Sequence, residues 1–144
     1  LGDVYKRQIE SRVWDEVMDA IKEQDALCSI AHPFDFWRKA PKSLDMYAKE
    51  AGAIEALNAR ALFPLSNYRA RRYARSHGLN MTAGSDAHHY SEIGNAYVEC
   101  EASDLEELRK LLKTGNVKLK GGISLPHVHL FSTFKKYKIL TPRP

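Results

Sequence analysis

The chain has 144 residues, of which 44% are hydrophobic and 28% charged, enough for one domain with a core of its own. No run approaches the roughly 20 apolar residues that span a bilayer, and no apolar leader ending in small residues is present, so no membrane association is expected and a cytoplasmic location is. A net charge of +4 and an isoelectric point near 9.1 are too mild to single out an acidic partner; Arg69, Arg71, Arg72 and Arg75 on one predicted helix, and Lys135, Lys136 and Lys138 near the C-terminus, read first as solvated surface.

Residues 1–8 join no periodic pattern and are set aside as a run-in, leaving 9–144 as the domain. With Leu1 in place of Met, the sequence reads as a piece of a longer one. Val13, Val17 and Ile21, four apart with Trp14 and Met18 beside them, predict a helix from Ile9 to Gln24 with one apolar face. Leu27 to Ala31 is a short apolar run that stops at His32-Pro33. Proline has no amide donor and biases the preceding residue away from helix, so a strand end and a loop are expected there. Ser43 to Ala51 is a helix opened by a serine cap and closed at Gly52.

Ala53 to Leu57 is the next strand, ending at Asn58. Pro64 opens a helix to His77, stopped by Gly78. Leu79 to Ala83 is a third strand, followed at once by Gly84-Ser85-Asp86, and Asn95 to Glu101 a fourth. Ser103 to Glu106 reads as a capping box for a helix ending at Gly115. Val117 to Lys120 is a last strand before Gly121-Gly122, and the tail is loop-like. Cys28 and Cys100 lie far apart with no metal-ligand spacing, so they read as buried free thiols.

Strands and helices alternating at this spacing predict an α/β fold of βαβ units on a parallel sheet. In such sheets chemistry gathers at the C-terminal strand ends. His32, Asn58 and Asp86 each stand just past a predicted strand, so consecutive parallel strands would deliver them to one rim. Asp86 and His88, two apart on an extended backbone, would point to one side, with Gly84 permitting a tight approach. An aspartate with two histidines suits a borderline divalent metal such as zinc, manganese or iron. Each residue alone also has a plainer reading, a turn-capping aspartate or a hydrogen-bonded loop histidine; their joint placement is what favours a metal. His89 would point away, and His77 suits a helix C-terminus.

Ala31-His32-Pro33-Phe34-Asp35, then Ile54 to Arg60, then Ala83 to His88 with Glu92-Ile93-Gly94, follow one another in the order of the later motifs of the polymerase-and-histidinol-phosphatase (PHP) phosphoesterases. The sequence resembles that family over about Ser29 to Gly122, and loosely on to His129 and Ser132-Thr133; the Gly84 to His88 block with Glu92-Ile93-Gly94 is the most specific part. The resemblance implies the C-terminal part of a distorted (β/α)7 barrel holding two or three divalent metals (zinc, manganese or iron) that activate water against a phosphate ester. It implies His32, Asp86 and His88 as metal ligands, and Arg60 and Arg38 as candidates for the substrate phosphate, a surface ion pair being preferred for Arg38. Glu55 and Asn58 match a motif near the site, where they would support it. No catalytic side chain is named.

The family's opening His-x-His does not occur before His32. The His127-Val128-His129 triplet lies in the tail, so this chain is expected to carry about a third of the ligands and to be inactive alone. The implied partner is a small phosphorylated substrate or nucleotide. A different class of function, an accessory PHP domain with a structural or partner-binding role, remains open. A nucleic-acid-binding module using the Arg69–Arg75 helix ranks last, because its arginines and aromatics are not interleaved in a reading surface.

Overall fold

In a computed structural model, the described residues are Ile9, Ser11, and residues 13–36 and 43–125. Arg38, His127, His129 and the lysine-rich tail lie outside them. The elements in chain order are α1 (Trp14–Glu23), α2 (Leu44–Ala51), β1 (Ala53–Asn58), α3 (Pro64–Ser76), β2 (Asn80–Gly84), a single 3-10 turn (Tyr90–Glu92), β3 (Ala96–Glu99), α4 (Leu105–Thr114) and β4 (Lys118–Gly121). The α/β reading holds. Pro64 occupies the first turn of α3, and Gly52 closes α2 in the left-handed conformation with φ 75°.

β1 and β2 pair in parallel, joined by α3, which is the predicted βαβ unit. The expected strand at Leu27–Ala31 is reduced to one parallel bridge, Ile30 with Ile54, flanked by hydrogen bonds from Ile30 N to Ala53 O and from Glu55 N to Ile30 O. Its direction and neighbour are as expected; its length is not. The last strand also departs from a parallel sheet. β3 and β4 form an antiparallel pair with Ala96 opposite Gly121, apart from the β1–β2 ladder. Eleven residues, 85–95, separate β2 from β3, hardly the dozen or more a parallel crossover takes, so β3 cannot readily continue that ladder. Gly121 lets the second pair close. A Cβ there would stand 2.0 Å from Asn95 O, and φ is 95°, a region side chains avoid.

The cap of α4 lies one residue further along than the expected capping box. Asp104 is the cap, its carboxylate accepting from Glu107 N at 2.8 Å, while Glu107 accepts from the Ser103 amide and hydroxyl, both at 2.7 Å. Ser43 precedes α2 without a side-chain cap bond.

β1 contributes to two apolar clusters. In one, Ile30, Ala48, Ile54 and Ala74 pack with Trp14, Phe34, Tyr47 and Tyr73; in the other, Leu57, Ala59 and Ala96 pack with Ala83 and Leu119. Ala70 and Ala74, four apart on α3, are small enough to let that helix lie close to the strand. Tyr73 adds a polar tie, donating its hydroxyl to Asp45 at 2.6 Å. Both thiols are free and only half-buried.

Burial first, then the bond to Asp45 and its charge, push the Tyr73 hydroxyl up to about 12. A raised folded value means the stabilisation is complete below the ordinary tyrosine value of about 10 and is lost as pH climbs toward 12. Near-ultraviolet titration of phenolate should therefore find one of the seven tyrosines ionising late, and Tyr73→Phe should remove that step and the matching alkaline loss of stability.

Candidate metal-binding rim

Two buried or half-buried carboxylates organise the rim at the C-terminal ends of β1 and β2. Glu55 Oε2 accepts from His32 N at 2.7 Å and from Asn58 Nδ2 at 3.0 Å. The same Asn58 nitrogen reaches Asp86 Oδ2 at 3.3 Å. One asparagine thus ties the loop after Ile30, the end of β1 and the loop after β2 into a single network. The convergence expected of His32, Asn58 and Asp86 is realised through Glu55.

A regular strand would forbid this. Side chains alternate faces with period two, so Glu55 and Asn58, three apart, would point opposite ways. The β1–β2 register slips between Glu55 and Leu57, leaving Ala56 unpaired. That bulge turns Asn58 back onto the face of Glu55. The asparagine is itself clamped: its backbone exchanges two 3.0 Å hydrogen bonds with the Asn67 side chain on α3, and its Oδ1 accepts from Arg60 N at 2.8 Å. Gly84 leaves room for the same carboxylate, because a Cβ there would lie 2.8 Å from Glu55 Oε1 and displace it.

His32 and Asp86 both have positive φ, 30° and 50°. For His32 this departs from the extended geometry that a following proline favours. Such conformations cost about 1–3 kcal/mol each and persist where the surroundings over-determine them. Here the His32 amide is held by Glu55, and the Asp86 carboxylate by Asn58.

Asp86 and His88 do face one another, with His88 Nδ1 4.0 Å from Asp86 Oδ1. The backbone between them is not extended as the spacing suggested, since Asp86 is left-handed. His88 Nδ1 lies 2.8 Å from Asp86 O. A carbonyl can only accept, so this bond assigns a proton to Nδ1; in the neutral ring Nε2 then keeps its lone pair, as in a metal-ligating histidine anchored through its other nitrogen. His89 instead turns to Ser91, its Nδ1 2.8 Å from the hydroxyl oxygen.

Glu92 closes the far side. It has no exposed surface; its Oε2 accepts from His88 N at 3.0 Å and His89 N at 2.9 Å, and Arg60 Nη1 donates to both its oxygens at 2.7 and 2.9 Å. Burial raises the Glu92 carboxyl, but the His88 amide, the Arg60 guanidinium and the His89 amide outweigh it and hold it below the ordinary range. Arg60 is 7% exposed and lies beneath the rim against Glu92. The sequence flagged Glu92 through the Glu-Ile-Gly motif without giving it a role, and gave no signal for Asn67.

Donor chemistry suits a borderline metal, yet the donors do not converge fully. Among the described residues no three His, Cys, Asp or Glu side chains are grouped so as to hold an ion. The cavity under His32, Glu55, Asn58 and Asn67 is about 10 Å³, room for about one water.

Residues 64–117 match a family described as PHP-associated. The match contains Asp86, His88 and Glu92, and it bears out the resemblance carried by the motifs. An uncharacterized protein of Methanocaldococcus jannaschii is 33% identical over 100 residues, which cover 64% of this chain and 41% of that relative. The chain therefore spans less than half the length of that relative. No solved structure matches it. No helix among the described residues is long and apolar enough to cross a membrane.

The Asn58 bridge yields a test. Asn58→Asp would set a third carboxylate against Glu55 and Asp86 and remove the donor both share. It should cost about 1–3 kcal/mol of stability at neutral pH, read as a lower denaturant midpoint with an unchanged slope.

Proposed function

We propose that the protein is a PHP-type phosphoesterase, the α/β unit being the C-terminal part of a distorted (β/α)7 barrel. His32, Asp86 and His88 would hold part of a cluster of two or three divalent ions, zinc, manganese or iron. The observation that carries this reading is the Glu55–Asn58 bridge, which joins the strand-end loops of His32 and Asp86 while His88 keeps its Nε2 lone pair for a ligand. When bound, such ions lower the pKa of a coordinated water and neutralise phosphate charge.

The chain's own part is positioning. Glu55 fixes the His32 backbone, Asn58 orients the Asp86 carboxylate, and the Asp86 carbonyl sets the His88 tautomer. Arg60 is assigned to Glu92 in place of the substrate, because its charge is spent on a buried carboxylate. Arg38 is then the remaining candidate for a small phosphorylated substrate or a nucleotide. A nucleic acid is a weaker candidate: Arg69 on α3 lies over the Phe34 ring at 5.2 Å and Arg71 Nε donates to Ala56 O at 3.3 Å, so two of the four arginines serve the fold.

A second reading, an accessory PHP domain without catalysis, is favoured by one observation, the lack of a three-donor group among the described residues. Metal content by plasma mass spectrometry, beside hydrolysis of p-nitrophenyl phosphate and its bis ester, separates the two. The chain should be measured together with any longer product of its reading frame. The phosphoesterase reading expects metal and hydrolysis in the more complete form, and Asp86→Ala should lower both, hydrolysis by at least about 100-fold. Metal content and turnover unaffected by Asp86→Ala would sink it and leave the accessory role.

A further inference from the structure

We propose that Glu92, oriented by Arg60, is the positioning residue that fixes the ring of His88. The inference rests in part on the metal reading above, but its geometry stands by itself. His88 is half exposed, so packing does not hold its imidazole. Two contacts constrain it: Nδ1 with Asp86 O, and its main-chain amide with Glu92 Oε2. The first survives only while the turn from Asp86 to His89 keeps its shape. Glu92 secures that turn by taking two consecutive amides, His88 and His89, on one oxygen.

A buried ion pair is a poor way to stabilise a loop, since desolvating both charges offsets most of their attraction and an apolar pair of similar volume often does as well. What the pair supplies here is direction. Glu92 can accept from two amides and from Arg60 at once only in one orientation, and it stays ionised there because Arg60 stands against both its oxygens. Arg60 is anchored in turn, its amide donating to Asn58 Oδ1, the residue that already bridges Glu55 and Asp86. One chain of contacts therefore runs from the His32 amide to the His88 amide through Glu55, Asn58, Arg60 and Glu92. Outer partners of this kind commonly change metal affinity about 10–100-fold when removed.

The experiment uses the full chain with Glu92→Gln, Arg60→Met and the charge-conserving Arg60→Lys. Two readouts are taken on folded protein, each beside a melting curve. Long-range proton–nitrogen NMR of the metal-free chain reports the His88 tautomer, and calorimetric titration with zinc reports affinity. In the wild type His88 should be the Nδ1–H form. Glu92→Gln and Arg60→Met should give mixed tautomers and zinc affinity lower by about 10–100-fold, with Arg60→Lys recovering part of both. Variants that melt lower yet keep the wild-type tautomer and affinity would overturn the proposal, leaving the pair a purely structural one. If Glu92→Gln does not fold, the two Arg60 variants decide. If the wild type binds no zinc, the tautomer alone decides whether Glu92 positions His88, and the metal reading is decided separately on the longer product of the reading frame.

Discussion

A carboxylate without exposed surface must find donors inside the protein, and that requirement at Glu92 shapes the rim. Its donors are Arg60 and the consecutive amides of His88 and His89. Once they are committed, the path of the chain from Asp86 to Glu92 has little freedom left. The single 3-10 turn at Tyr90–Glu92 follows from the same constraint, because it brings the Glu92 side chain back over the loop that precedes it.

Glu55 does the same for the neighbouring loop. It holds the His32 amide and the Asn58 side chain, and Gly84 leaves it room. Glu55 and Glu92 therefore sit under successive strand ends, each gripping the main chain beside a histidine of interest. Asn58 and Arg60, two apart at the end of β1, connect them. Left-handed backbone at His32 and Asp86 is tolerated because these contacts fix both loops. The rest of the fold serves as support: α3 supplies Asn67 to clamp Asn58, and the two apolar clusters that β1 joins keep the strand in place.

A fully formed metal cage would bring three or more donors into a single group. The described residues bring the loops of His32, Asp86 and His88 into one network without that grouping. What the described residues share is the network of supporting contacts.

Much of this could be read from the sequence, because the signals are local. Proline at the first turn of α3, glycine after α2, and short apolar runs ending in His32, Asn58 and Asp86 fixed the elements and the rim. The Gly-Ser-Asp-Ala-His block with Glu-Ile-Gly named the family that residues 64–117 match. Other features depend on partners far along the chain. Capping at α4 moved by one residue because Asp104 reaches the Glu107 amide, and the antiparallel β3–β4 pair depends on a close approach at Gly121. The bulge at Ala56 puts Glu55 and Asn58 on one face, which an alternating strand pattern forbids. Arg60, expected from the family likeness as a candidate for phosphate, pairs with Glu92, 32 residues away. The sequence by itself determined which side chains stand at the strand ends; only tertiary packing decided which of them pair, because burial, not spacing, sets where a charge must find its partner.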